Sequence, residues 1–352
     1  MGGWIQYSMS PTTAAWMAQH FYWQWKYSME EKFLNERCRP YFDDVMNYIK
    51  KIRVKDNTGQ QYQLPLSSTP EYNDNSIKAW FPKFTNYDLS LVKNLHREYN
   101  DVMDKASTIN ILLDGKLYPA FDVNETGLTI APTQNLEKSH RHHAHLMAIY
   151  PLELLNVDVA EEKDIINKSL RWLEKKGTRE WCGYSFSWAA CLYAKAKEGD
   201  NAAKMLRIFA DNFVSINSFH LNGDQRGGQY SNFTYRPFTL EGNFAFAQGI
   251  HEMLLQSNYG CIEIFPAIPA TWENVSFKTL RTEGAFLVSA IKKKGNIVEV
   301  LISSEAGGLM QLKLPFKTFY IDGVQVKYKL DNNILKVNMH KGESILIKNG
   351  FE

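Results

Sequence analysis

Several things are scarce in this 352-residue chain. Basic excess is one: 40 Lys and Arg against 38 Asp and Glu give a formal charge of +2. No basic run exceeds Lys292-Lys293-Lys294. That balance excludes nucleic acid as a main partner, since phosphate backbones are met by clustered cations. Cysteine is another. Cys38, Cys182, Cys191 and Cys261 form no CxxC pair, so a zinc or thioredoxin-type site is not expected. Buried free thiols are the default expectation for them. No run of eighteen apolar residues is present, so no membrane-spanning helix is expected. Met1-Gly2-Gly3-Trp4 lacks the basic and apolar regions of an export signal. The glycine-rich Asn222–Gly228 stretch has no preceding strand and no GKS/T after it, which excludes a phosphate-binding loop. There is no GxSxG either, and Cys182 sits in a Trp-Cys-Gly-Tyr context that reads as packing, so a nucleophilic triad has little support.

Apolar and aromatic residues are plentiful. Hydrophobic residues make up 44% and aromatics 13%, with nine Trp and 18 Tyr, more rings than a core alone usually needs. Large helical cores use such rings, and so do sugar clefts, where a ring face packs on the C–H face of a pyranose. The first part of the chain has helical periodicity. Residues 11–50 read as two helices with a pause near Ser28–Glu31, and 84–113, 161–175, 184–198, 201–215 and 243–257 read as further helices, with a short apolar helix at 140–150 stopped by Pro151. Residues 51–83 form a long loop with Pro65, Pro70 and Pro82, and long loops in compact domains tend to be functional. After Tyr259-Gly260 the pattern changes to short strands at 286–291, 297–302, 310–314, 325–330, 334–339 and 344–347, separated by turns such as Asp322-Gly323 and Lys341-Gly342. The expected architecture is mainly α: a toroid or bundle of helical hairpins over residues 1–258, then a small antiparallel β-sandwich over 259–352.

Three polar stretches are candidates for chemistry. Glu71 lies in Ser67-Ser68-Thr69-Pro70-Glu71-Tyr72-Asn73, where Pro70 stiffens the backbone and Tyr72 can shield the carboxyl; it is either a general acid or an ordinary loop acid. His140-Arg141-His142-His143-Ala144-His145 puts four imidazoles in six residues. The pattern is not HExxH and has no neighbouring Cys or Asp at ligand spacing, so metal binding stands beside hydrogen bonding to a polyhydroxylated substrate and beside core histidines. Glu241 precedes Gly242 and Asn243, either of which can cap the helix that follows. A carboxylate there is favoured in its ionised form by the helix N-terminus, as a cap or as a group that activates water. Trp16 and His20 lie four apart on one face of the first helix, as a core pair or as part of a cleft wall.

The segments at 140–151 (His-Arg-His-His-Ala-His-Leu-Met-Ala-Ile-Tyr-Pro), 183–189 (Gly-Tyr-Ser-Phe-Ser-Trp-Ala), 240–257 (beginning Leu-Glu-Gly-Asn-Phe-Ala-Phe) and 265–272 (Phe-Pro-Ala-Ile-Pro-Ala-Thr-Trp) resemble glycoside hydrolase family 95. Residues 14–20 and 68–73 fit that family's earlier motifs in the same order. The resemblance implies an (α/α)6 barrel followed by a β-domain. It implies inverting exo-hydrolysis of terminal α-L-fucosides, or of α-L-galactosides in some members, on oligo- or polysaccharides and without a cofactor. A non-catalytic sugar-binding branch is the alternative. It places Glu71 as the general acid, Arg141 and His142 in a sugar-contacting motif, Trp16 and His20 near an aromatic subsite wall, and Glu241 where typical members have Asp. The extra methylene moves the carboxylate by over ~1 Å, a misplacement able to cost about 10²-fold in rate. Family members also carry an N-terminal β-domain and early barrel helices, including asparagines that hold the attacking water. The expectation is therefore that the chain corresponds to the C-terminal portion of such a protein, that an upstream polypeptide completes the barrel, and that the whole is periplasmic or secreted.

Overall fold

The computed structural model describes residues 9–104, 116–132, 134–257, 260–322 and 327–350. The helical part holds α1 (Thr13–Ser28), α2 (Arg39–Ile52), α3 (Asn86–Val102), α4 (Ala160–Lys176), α5 (Gly183–Lys195), α6 (Gly199–Asn212) and α7 (Glu241–Leu254). The pause expected near Ser28 is a left-handed C-cap at Met29. A π-helical stretch, Leu34–Cys38, then leads into α2. The portion of the expected 84–113 helix beyond residue 104 lies outside the described residues, as do Tyr259 and Gly323.

Burial sorts the helices. In α3 and α5 nearly every residue is buried, the pattern of helices surrounded on all sides. In α2, α4 and α6 one stripe is buried: Phe42, Val45, Met46 and Ile49 in α2, and Ile166, Ser169, Leu170 and Leu173 in α4. These are outer helices presenting a single apolar face. One continuous apolar core runs from Ala15 to Met253 and takes in Ala267.

The starts of α1, α3, α5 and α7 are linked in space. Thr12, just before α1, bonds Asp88 in the first turn of α3. Ser185 in the first turn of α5 donates to the Arg141 carbonyl at 2.7 Å. Asn243 in the first turn of α7 accepts from the His220 amide at 2.8 Å, and His220 lies against Gly183 at the start of α5.

Two expectations about local structure change. Residues 140–150 contain a 3-10 turn, Ala144–Leu146, in place of a short helix. The amides of Leu152 and Leu154 fold back onto Met147 and Ala148, and the residue before a proline, Tyr150, is disfavoured in helical conformation. Helix α7 begins at Glu241 with Leu240 as its cap, not with Gly242 or Asn243. The Asn243 side chain is occupied elsewhere, accepting from His220 and donating to the Ser218 carbonyl.

Beyond α7, Leu255–Gln256 pairs with Glu263–Ile264. A sandwich follows: β1 (Val275–Thr282), β2 (Phe286–Lys293), β3 (Asn296–Ser304), β4 (Gly308–Lys313), β5 (Phe319–Asp322), β6 (Tyr328–Asp331), β7 (Ile334–Met339) and β8 (Ser344–Asn349). One antiparallel sheet has the order β5-β8-β3-β2-β1 and the other β4-β7-β6. Val288, Val300, Ile302 and Ile347 of the first sheet and Met310, Leu312, Leu335 and Val337 of the second share one core. The sandwich is tied to the helices by Gly284 N–H to the Lys26 carbonyl and by Asp158, Lys197, Glu263 and Lys313, which form one ionic cluster. All four cysteines are free thiols. Among the described residues no helix is long and apolar enough to cross a membrane.

Candidate active site

Glu71 sits in a tight turn with φ +56, a left-handed conformation uncommon for a residue with a side chain. Pro70 before it is buried, and so is Tyr72 after it. The Tyr72 hydroxyl donates to the Asn135 carbonyl at 3.0 Å, and its ring lies beside His140. The carboxyl, 13% exposed, points to Arg141 and His142. Glu71 Oε2 forms an ion pair with Arg141 and lies 3.1 Å from His142 Nε2. Burial pulls the Arg141 pKa down, but the Glu71 charge, helped by Tyr184, Cys182 and Tyr235, holds it above its ordinary value. Arg141 also faces the Phe233 ring at 5.8 Å.

The four histidines of 140–145 divide their work. His140 Nε2 lies 3.3 Å from the Glu71 carbonyl and braces the turn from behind. Its pKa is pushed down to about 4 by burial and by His142. His143 and His145 are core residues, each pushed down to about 3 by complete burial. His143 packs between Trp181 and Trp188 and bonds the Ser185 carbonyl at 3.0 Å. His142 alone of the four approaches the Glu71 carboxyl. Among the described residues no group of three His, Cys, Asp or Glu is placed to hold a metal ion.

From His142 the cluster continues across α5 to α7. The Tyr184 hydroxyl is 3.4 Å from the His142 ring nitrogens. The Tyr184 ring meets His220 edge-on at 6.4 Å. His220 Nδ1 is 2.9 Å from the Thr239 carbonyl, two residues before Glu241. Burial lowers the His220 pKa, opposed by the Thr239 bond and by the charge of Glu241. Cys182, the cap of α5, contacts the Tyr235 hydroxyl at 3.5 Å. Its pKa is raised by burial first, with Tyr235 and Arg141 opposing and the charges of Glu71 and Glu241 adding to the rise. Both carboxylates thus lie within electrostatic reach of one thiol. Glu241 itself is exposed, in the first turn of α7.

A cleft of about 1380 Å³ opens over Glu71, lined among others by Tyr72, Lys138, Arg141, Glu180 and Phe233. Glu71, Arg141 and His142 are brought together, and Tyr184 and His220 link them to the backbone at Thr239, two residues before Glu241; Glu241 itself is not among the residues that line this cleft. Trp16 packs edge-on against Tyr87 of α3. His20 lines a different cleft of about 420 Å³, with Trp23, Tyr27, Gln248, His251 and Glu252. Sequence reasoning did not single out Tyr184, His220 or Phe233. Tyr184 had a signal, since it lies inside the Gly-Tyr-Ser-Phe-Ser-Trp-Ala motif; His220 had none, as a lone histidine in a Ser-Phe-His-Leu context.

An acid beside Arg and His at the mouth of a cleft is a set able to give and take a proton at a bound polyol. Residues 1–254 match the glycosyl hydrolase family 95 catalytic domain, and residues 256–347 match the glycoside hydrolase family 95 C-terminal domain. Alpha-L-fucosidase 2 of Arabidopsis thaliana is 26% identical over 315 residues, covering 85% of this chain and 36% of that protein. The probable alpha-fucosidase A of Aspergillus niger is 21% identical over 348 residues, covering 90% of this chain and 42% of that protein. The chain thus spans less than half the length of these relatives. Among solved structures, a putative kojibiose phosphorylase from human microbiome superposes with a TM-score of 0.54 at 10% identity over 96% of this chain and 50% of that one, a likeness of fold. With both of its family models matched in order, this mainly helical, toroid-type chain with its C-terminal β-sandwich belongs to glycoside hydrolase family 95.

Proposed function

We propose that the chain supplies the catalytic carboxylates of an inverting exo-glycoside hydrolase for terminal α-L-fucosyl residues of oligo- or polysaccharides. The observation that carries this reading is the joining of Glu71, Arg141 and His142 in one cluster at a cleft, from which Tyr184 and His220 lead to the segment just before Glu241. The fucosidase names of the relatives support the sugar. Glu71, once protonated, gives its proton to the glycosidic oxygen as the bond from that oxygen to the anomeric carbon breaks. Glu241 takes a proton from a water whose oxygen attacks that carbon from the opposite face, so the configuration inverts. Arg141 and His142 hold sugar hydroxyls. A hydroxyl that draws the Arg141 guanidinium to itself weakens the ion pair and leaves Glu71 easier to protonate. On this reading residues 1–258 are the catalytic unit and 259–352 the β-domain.

An upstream polypeptide completing the barrel belongs to the same reading. Helix α7 carries Phe244, Ala247, Ile250 and Leu254 on one apolar face, yet among its residues only Gly242, Gly249, Glu252 and Met253 are buried. Phe244 is 68% exposed and the capping Leu240 42%. An apolar face left this open is what a further packed segment would cover.

The test is hydrolysis of α-L-fucosides and α-L-galactosides, with and without an upstream polypeptide, following the first-formed anomer by NMR. Initial release of the β-anomer of L-fucose is expected. Release of the α-anomer overturns inversion, and faster turnover of the galactoside changes the sugar. Saturable sugar binding without turnover under every condition points to a binding module instead.

A further inference from the structure

We propose that Asp88 is a positioning residue for Glu71, a buried latch that fixes the acid's turn against the start of α3. The proposal rests on the acid role of Glu71 given above. Asp88 is 0% exposed and lies in the first turn of α3, whose cap, Thr85, accepts from the Asp88 amide at 3.1 Å. No ion pair to Asp88 is present among the described residues. Its two oxygens are met instead by three donors from two other segments. Oδ1 accepts from the Thr12 hydroxyl at 2.5 Å. Oδ2 accepts from the Ser67 hydroxyl at 2.6 Å and from the Ser68 amide at 2.9 Å.

Thr85 closes the same knot. Its amide donates to Ser67 Oγ at 2.9 Å, and its hydroxyl donates to the Ser68 carbonyl at 2.7 Å. The two residues that lead into Thr69-Pro70-Glu71 are thereby pinned on both sides. Downstream, Tyr72 is pinned by the Asn135 carbonyl. Between these anchors Glu71 holds its left-handed backbone, a conformation that persists when the surroundings over-determine it. A polar group this buried costs stability unless it is bonded, and two of the three bonds of the Asp88 carboxylate go to Ser67 and Ser68, which lead into the acid turn, while the third ties it to Thr12 at the start of α1. Burial pushes the carboxyl up to about 6 even with Ser67, Thr12 and Ser68 pulling it down, so the latch is maintained against a desolvation cost. Acid catalysis falls steeply with misplacement of the acid, about 10²-fold for an ångström.

The experiment uses the full chain, with an upstream polypeptide where turnover needs one, and compares Asp88→Ala, Asp88→Asn, Ser67→Ala and Glu71→Gln. Two substrates are used: an α-L-fucosyl disaccharide, whose leaving oxygen needs a proton, and α-L-fucosyl fluoride, whose fluoride leaves without one. Asp88→Ala is expected to lower kcat on the disaccharide about 10²-fold with KM little changed, and on the fluoride by no more than about threefold. Asp88→Asn keeps an oxygen for Ser67 and Ser68 and turns its amide to Thr12, so it retains most of the activity. Equal slowing of both substrates by Asp88→Ala, or of neither, overturns the latch. Glu71→Gln must show the same leaving-group dependence; if it does not, the acid assignment fails and the latch is judged by hydrogen exchange alone. There, the amides of Ser68–Asn75 are expected to exchange about tenfold faster in Asp88→Ala while α5 keeps its protection. Unchanged protection of the turn overturns the latch whatever the kinetics. Should Asp88→Ala not fold, Ser67→Ala carries both measurements, with the same outcomes deciding.

Discussion

Glu71 is held from every side, and Glu241 only from behind. Around Glu71 the backbone is pinned through Ser67, Ser68, Tyr72 and His140, and the carboxyl is met by Arg141 and His142. Glu241 stands exposed on the first turn of α7, and what fixes that turn is contact with His220 and the bonds of Asn243. The two carboxylates thus differ in what sets their geometry. Bonds to both backbone and carboxyl from separate loops place the first, whereas the second is placed only through its helix start, by contact with His220 and the two Asn243 bonds. A general acid that must meet a fixed glycosidic oxygen gains from the first arrangement. A group that works through a mobile water tolerates the second better.

The largest effect that tests this contrast comes from removing the carboxylates themselves. Glu71→Gln is expected to lower kcat on an unactivated fucoside by about 10²–10⁴-fold, the usual worth of a positioned acid, with the thermal midpoint little changed. Glu241→Gln is expected to slow activated and unactivated substrates alike, because water attack is common to both. If Glu241→Gln leaves turnover unchanged, the two carboxylates are not partners and Glu241 is a surface charge at a helix start.

A smaller effect concerns the groups buried behind the two halves. His96, His143 and His145 have folded pKa values near 3, depressed from 6.5 by burial, so they contribute stability above pH 6.5 that is lost as pH falls through the interval to about 3. Asp88, Glu98 and Glu283 are raised by burial to about 6, 8 and 7, so their contribution is present below their unfolded values, 3.8 and 4.5, and is lost as pH rises through the folded ones. Between about pH 6 and 4.5 the three carboxyls oppose these histidines and His140, which is likewise depressed, to about 4, so the net fall there is gentle. Below about 4.5 the carboxyls are nearly spent and the histidines still titrate, so stability should fall by up to ~4 kcal/mol per pH unit. Urea midpoints measured from pH 8 to 3.5 check this. A steep fall beginning at pH 6.5 would mean that the carboxyls do not offset the histidines.

The same contrast explains what the residues revealed before any coordinates. Glu71 was legible because its turn is written locally: Pro70, small hydroxyl residues and Asn73 within a few positions. The helices were legible because a buried stripe repeats at three and four, and α1, α4 and α6 begin and end within a few residues of their expected limits, while the expected start of the second helix is taken up by the π-helical stretch before α2. Two strands were not legible. In β1 the pairing register shifts between Phe277 and Leu280, so the two-residue alternation breaks in the middle of the strand. In β5 only four residues pair, with alternating half-buried and exposed side chains. The partners of Glu71 were legible as a motif but not as a division of labour, since which of four histidines faces a carboxyl is decided by α5 and the Trp181 and Trp188 rings, more than thirty positions away. His220 and Asp88 were invisible for the same reason: their importance is entirely in what lies against them.

The smallest expected effect isolates the packing that holds Glu241. Two glycines of α7 offer it. A Cβ at Gly242 would lie 2.6 Å from His220 Cγ and Nδ1, and that ring is buried, bonded to Thr239 and wedged against Gly183. Neither the ring nor the start of α5 has room to retreat, so Gly242→Ala should cost ~1–3 kcal/mol by overpacking. It should also lower kcat, because the turn that carries Glu241 must move off His220. A Cβ at Gly249 would meet Leu206 Cδ2 at 3.1 Å and Ala190 Cβ at 3.4 Å. The leucine methyl is the far end of a flexible side chain and yields by a few tenths of an ångström. Alanine also gains up to about 1 kcal/mol over glycine in a helix interior. Gly249→Ala should therefore be neutral to slightly stabilising, with turnover unchanged. Urea denaturation and steady-state kinetics on the two variants read both quantities. If Gly242→Ala is as stable and active as Gly249→Ala, the His220 contact does not fix the start of α7, and the position of Glu241 must be set from its exposed side.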